Sequence, residues 1–219
     1  MIKNIQYFMN EEDKFINTHP NYGEMFYDDS IGEMSEYGIN DRLNYLRDRI
    51  FSKIHKTLNE PLGKEIEFGL SEAQRVLLRL FYCKHSHIFR DDYYYNGISE
   101  FVQNLFDTLD DAVNKAPTNS DPILYRFCNE YDKCDMKIGD IILFPYNLTC
   151  TNYDWHQEKD RNVYIITPLR QKTNAHNLFE IYEHGDEKQV DFLRNTKFLV
   201  TNIEDTCGTS YKKFYMEEI

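Results

Sequence analysis

Three polar positions interrupt apolar runs in the second half of the chain, and each carries a side chain suited to handling a phosphate or a sugar. Arg126 stands in Ile123-Leu124-Tyr125-Arg126-Phe127. Its guanidinium can give bidentate, permanently charged contacts to phosphate or ribose oxygens. Thr149-Cys150-Thr151 follows Phe144-Pro145-Tyr146-Asn147-Leu148 and sets two hydroxyls at a strand start, where they can orient a ribose and a nearby carboxylate. Glu187-Lys188-Gln189 opens Val190-Asp191-Phe192-Leu193. The Gln189 amide can hydrogen-bond a sugar hydroxyl but brings no charge. Taken singly, each has a bland reading: a surface arginine in a salt bridge, threonines that favour strands, a solvated turn. Their order and spacing carry the argument.

The elements that must position these residues divide at about the middle of the chain. Ile39, Leu43, Leu46, Ile50, Ile54 and Leu58 step by three or four residues and predict a helix ended by Pro61 and Gly63. Ser71-Glu72-Ala73-Gln74 fits a capping box that starts a second helix carrying Val76, Leu77, Leu80 and Phe81. A third is predicted from about Ile98 to Ala116, with Phe101, Val102, Leu105, Phe106, Leu109 and Val113 on one side and Pro117 barring its continuation. Beyond it the period changes. Ile123–Cys128, Asp140–Phe144, Val163–Pro168, Leu178–Tyr182, Gln189–Leu193, Thr196–Ile203 and Tyr211–Met216 read as short strands. Helices followed by strands predict an α+β fold, with N-terminal helices packed on a mostly antiparallel β-sandwich core. Residues 1–30 read as an N-terminal arm and residues 31–219 as a single domain.

Composition narrows the classes. The 17 Tyr and 15 Phe suffice for a core, which argues against disorder, and a net charge of −12 disfavours a large nucleic-acid-binding surface. Five scattered cysteines without CxxC spacing point to a reducing cytoplasm. The first residues lack a signal-peptide core, and no apolar run approaches the length of a membrane span. Cys83-Lys84-His85-Ser86-His87 lacks a second ligand pair, so no metal site is expected. The rings of Asp91-Asp92-Tyr93-Tyr94-Tyr95 are expected to pack on the domain rather than stack on bases.

The ordered set resembles the arginine–serine–glutamate clade of mono-ADP-ribosyltransferases, which includes bacterial toxins. Leu109-Asp110-Asp111-Ala112-Val113 and Leu124-Tyr125-Arg126 resemble the family's helix and arginine strand. Leu148-Thr149-Cys150-Thr151 stands where the family carries a hydrophobic residue and Ser-Thr-Ser. Glu187-Lys188-Gln189-Val190, with Arg194-Asn195-Thr196-Lys197-Phe198-Leu199-Val200 behind it, resembles the glutamate motif and the turn and strand that follow. Tyr211–Met216 resembles the closing strand, so the likeness covers residues 98–219. It implies NAD as co-substrate, bound by Arg126, Tyr125, Thr149 and Thr151, with Gln189 at the position of the catalytic glutamate. Glu187 would help to activate the acceptor and Tyr182 would contact it; Trp155 would shield the nicotinamide or else belong to the core.

Two departures bear on activity. Thr-Cys-Thr replaces Ser-Thr-Ser and keeps the leading hydroxyl, but Gln189 removes a charge whose loss typically costs on the order of 10² to 10³ in rate. Three accounts of the glutamine compete: an engineered, inactivated form; a natural pseudoenzyme serving as a binding module; or a site in which Glu187 does the work. The resemblance implies a cytoplasmic transferase acting as a toxin, in a toxin–antitoxin or antiviral-defence setting. Its acceptor would be a protein, slightly favoured, or a nucleic acid, and an antitoxin or chaperone could be a partner.

Overall fold

A computed structural model describes residues 1–18, 51, 53–61, 63–82, 100–128, 132–154, 161–182 and 188–219. The chain divides into two compact units, Met1–Ala112 and Val113–Ile219. The first is helical. Helix α1 (Ile5–Thr18), a helical stretch over 53–58, α2 (Glu72–Phe81) and α3 (Glu100–Asn114) follow one another, with a 3-10 turn at Lys64–Ile66. The Ser71 hydroxyl accepts from the Gln74 N–H while the Gln74 side chain accepts from the Ser71 N–H, so two of the helix's orphan donors are satisfied reciprocally. Gln74 also donates to Asp111 of α3. The six apolar residues expected on one side of α3 are all buried. The first 18 residues, part of the expected N-terminal arm, are tied to α3. Phe8 is buried edge-to-face on Phe101, Asn104 Nδ2 donates to the Tyr7 hydroxyl at 3.1 Å, and the Lys3 N–H donates to Thr108 at 3.0 Å. Burying one phenylalanine stabilises by about 1.5–3 kcal/mol, and the two hydrogen bonds add to it. The rest of the expected arm, and the Cys83–His87 and Asp91–Tyr95 segments, lie outside the described residues.

The second unit is a sheet of eight strands: β1 (Leu124–Phe127), β2 (Ile141–Leu143), β3 (Leu148–Thr151), β4 (Val163–Thr167), β5 (Ala175–Asn177), β6 (Gln189–Phe192), β7 (Lys197–Asp205) and β8 (Lys212–Glu218). Their order is β2-β7-β8-β4-β1-β3-β6-β5, antiparallel except where β4 runs parallel to β8. The fold class is therefore α+β with a mostly antiparallel sheet. Leu178–Tyr182, expected as a strand, opens with a 3-10 turn at Leu178–Glu180. Leu178 and Ile181, three residues apart, are both buried there. A five-residue apolar run does not distinguish the two periods.

Strands β7 and β6 stand five places apart in the sheet, roughly 24 Å if it were flat. Yet Phe198 of β7 and Phe192 of β6 meet edge-to-face with centroids 4.9 Å apart. The sheet must therefore curl over so that its ends face each other as the layers of a sandwich. Phe144, Tyr164 and Phe214 fill the space between, with ring contacts of 5.7 to 6.0 Å. Polar bonds close the curl. The buried Glu218 carboxylate of β8 accepts from Leu169 N, Thr173 Oγ1 and Asn174 N in the segment that leads into β5. Among the described residues, no helix is long and apolar enough to cross a membrane.

Candidate active site

Adjacent strands β1, β3 and β6 carry most of the candidate residues, and their register decides which side chains share a face. Tyr125 pairs with Thr151, Thr151 with Gln189, and Thr149 with Asp191. Directly opposed residues in an antiparallel pair point to the same side, and the side alternates along each strand. Tyr125, Thr149, Thr151 and Gln189 are thereby brought together on one face. Their neighbours Leu124, Leu148, Cys150, Val190 and Phe192 enter the sandwich core from the other.

Arg126 lies between Tyr125 and Phe127 and shares the core side with Leu124, so the structure separates it from the two threonines and the glutamine. Its Nε and Nη2 donate to Asp132 Oδ2 at 3.2 and 2.8 Å, and Nη1 donates to the Thr149 carbonyl at 3.2 Å. The residue is only 9% exposed. Burial works against the charged form, but the Asp132 carboxylate outweighs it and the guanidinium's pKa is raised. Arg126 therefore grips the backbone of the threonine strand while its charge is matched by Asp132. No signal in the sequence singles out Asp132, which stands outside any strand.

Thr151 Oγ1 accepts from the Tyr153 N–H at 3.1 Å, a turn that ends β3. Tyr125 is half-buried, and burial, then the neighbouring Asp154 carboxylate, push its phenol up, so it remains a neutral donor. Cys150, between the threonines, is pushed well up by burial and stays a thiol. Tyr182 lies beyond the strand ladder, where its N–H donates to the Leu178 carbonyl at 3.1 Å. Glu187 and Trp155 lie outside the described residues.

Two further polar residues occupy the threonine face. Asp191, fully buried, accepts from Gln189 Nε2 at 2.8 Å. His176 of β5 stands directly opposite Asp191. The His176 Nδ1–H donates to the Ala116 carbonyl at 2.9 Å, since a carbonyl can only accept. The sequence does hold a signal for Asp191, a carboxylate inside the apolar run Val190-Asp191-Phe192, but none for His176. Hydroxyls, a phenol and an amide side by side form a set of donors and acceptors that matches the hydroxyls of a ribose. Among the described residues, this face of β1, β3 and β6 carries no cation to meet a pyrophosphate. No group of three or more His, Cys, Asp and Glu residues placed to hold a metal is found among them.

No family model and no curated protein sequence matches the chain. Solved structures do. Plx2a, an ADP-ribosyltransferase toxin from Paenibacillus larvae, superposes with a TM-score of 0.58 over 78% of this chain and 96% of its own, at 12% identity. The C3 exoenzyme of Clostridium limosum gives 0.54 over 78% and 94%, at 11% identity. C3stau2 from S. aureus, solved with NAD, gives 0.55 over 78% and 94%, at 12% identity. This chain has the fold of the bacterial mono-ADP-ribosyltransferase toxins.

Proposed function

We propose that the chain binds NAD and transfers its ADP-ribosyl group to a macromolecular acceptor. The observation that carries this reading is the convergence of Thr149, Thr151 and Gln189 on one face of adjacent strands, within a fold shared with such enzymes. NAD supplies the ADP-ribosyl group and the nicotinamide that leaves it. The hydroxyls of Thr149 and Thr151 orient the ribose, and the Gln189 carbonyl oxygen accepts from a ribose hydroxyl. Tyr125 covers the same face as a neutral phenol. Arg126 contributes from behind: it fixes the Thr149 carbonyl, and so sets where the hydroxyls of β3 stand. Direct contact with phosphate would require it to leave Asp132. Glu187 and Tyr182, on either side of the segment before β6, are assigned to the acceptor.

The test is transfer of labelled ADP-ribose in a cell lysate by the chain as it stands and by its Gln189→Glu form. Labelling by either supports the reading, and the labelled band, protein or nucleic acid, identifies the acceptor. The amide at 189 favours a second reading, a catalytically dead binding module. It predicts NAD binding without labelling from either form.

A further inference from the structure

Strand β6 carries an arrangement that an ordinary half-buried strand would avoid. Gln189 and Asp191 are two residues apart on one face, 8% and 0% exposed, and the amide Nε2 donates to the carboxylate Oδ2 at 2.8 Å. Val190 and Phe192, the alternate residues, belong to the core. Thr149 and His176 stand opposite Asp191 on the flanking strands, and Thr151 stands opposite Gln189. Neither β3, β5 nor β6 holds a lysine or arginine. Burying a carboxylate costs several kcal/mol unless hydrogen bonds offset it, and the Gln189 amide supplies one to Asp191.

We propose that Asp191 is a positioning residue that fixes the Gln189 amide with its carbonyl oxygen turned toward the co-substrate. This rests on the reading under Proposed function. A primary amide has a donating end and an accepting end of nearly equal size, and a buried glutamine can present either. A carboxylate only accepts, so Asp191 takes Nε2 and leaves Oε1 to face away from it. The negative group behind the amide also polarises its carbonyl, because linked hydrogen bonds strengthen one another. Gln189 and Asp191 together then do what one glutamate would do: the amide presents the acceptor and the aspartate supplies the charge. A glutamate at 189 would instead press two carboxylates against each other, and one of them could not readily ionise.

The experiment uses four full-length proteins: the chain as it stands, Asp191→Asn, Gln189→Glu, and the double exchange. Nicotinamide release gives turnover, calorimetry gives the Kd for NAD, and thermal unfolding monitors the fold. In the Gln189 background Asp191→Asn is expected to lower turnover about tenfold and weaken NAD binding, the worth of one oriented hydrogen bond. In the Gln189→Glu background the same exchange is expected to raise both, because it removes the like charge. This reversal of sign, with the loss in the Gln189 background occurring at an unchanged melting temperature, is the supporting result, since a merely structural aspartate would lower activity there only by destabilising the fold. Losses of the same sign in both overturn the proposal. If NAD binds without turnover, the sign of the Kd changes decides in the same way. Should Asp191→Asn fail to fold, Asp191→Leu is read by the same criteria. Cooperative unfolding of all four with no NAD binding by any would overturn the transferase reading itself, and this proposal with it.

Discussion

Phe192 and Phe198 are separated by only five residues, yet their rings meet across the sandwich rather than along one sheet, 4.9 Å apart and perpendicular. The turn leaves Asn195 at a φ of 64°, a left-handed conformation that asparagine tolerates, with its N–H donating to the Phe144 carbonyl at 2.8 Å. Both rings are fully buried. Phe192→Ala or Phe198→Ala should each destabilise the chain by about 3–5 kcal/mol, measured by chemical denaturation. The two losses should not add, because either one already opens the same contact.

Glu218 should prove a second closure point of comparable weight. It accepts from Leu169 N at 2.9 Å, Thr173 Oγ1 at 2.5 Å and Asn174 N at 2.7 Å. Glu218→Gln puts an amide donor where one of three donors must be met, and should cost about 2 kcal/mol. The same denaturation measurement checks it. Hydrogen exchange at Leu169 and Asn174 should quicken in the variant.

Arg126 and Asp132 make a separable prediction about stability and ligand binding. Arg126→Ala takes the guanidinium away from the buried Asp132 carboxylate and should cost about 3–5 kcal/mol. Arg126→Lys keeps the charge but not the fork that reaches both Asp132 and the Thr149 carbonyl. It should melt lower and also weaken NAD binding. Asp132→Asn should lower the melting temperature while leaving the bond to Thr149 in place, and so should affect the NAD Kd less than Arg126→Lys does.

Cys134 should stand apart from the other cysteines in its reactivity. The hydrogen bond from the Cys128 thiol comes first among the causes that bring its pKa down to about 7, against some opposition from burial. Its alkylation rate should rise through pH 7 and level off above it, where an ordinary thiol is still gaining. Cys128, pushed well up by its own burial, should stay unreactive throughout. Cys128→Ala removes the stabilising donor, so the alkylation profile of Cys134 should move to higher pH.

Local signals were legible in the sequence where a single stretch of chain decides the outcome. The capping box at Ser71 and the buried stripe of α3 depend on neighbours three and four residues away, and both can be read directly. Strands longer than four residues, such as β4 and β7, were found for the same reason. The three-residue β5 was not, because Ala175-His176-Asn177 owes its conformation to pairing with β6 and to the Thr118–His176 bridge. The candidate site was legible as a set of residues but not as a geometry. Alternation alone puts Arg126 and Tyr125 on opposite sides, but which side Thr149 shares depends on the register between β1 and β3. That register is a property of the folded sheet. Asp191 stands in the sequence as a carboxylate in an apolar run, and its meaning depends on a partner, Gln189 Nε2, that only the fold supplies.

The parallel pairing of β8 with β4 has a consequence for how the protein comes to exist at all. Strand β8 is the last of the eight in sequence, yet it occupies the interior of the sheet, between β7 and β4. Until residues 212–218 are made, β4 and β7 each present an unpaired edge, and the two halves of the sheet have no ladder to join them. A nascent chain short of that point holds two incomplete ribbons with exposed backbone, open to mispairing and to proteolysis. The sheet of the second unit therefore becomes continuous only when its last strand pairs on both sides, and loss of residues 212–218 would part it into two ribbons.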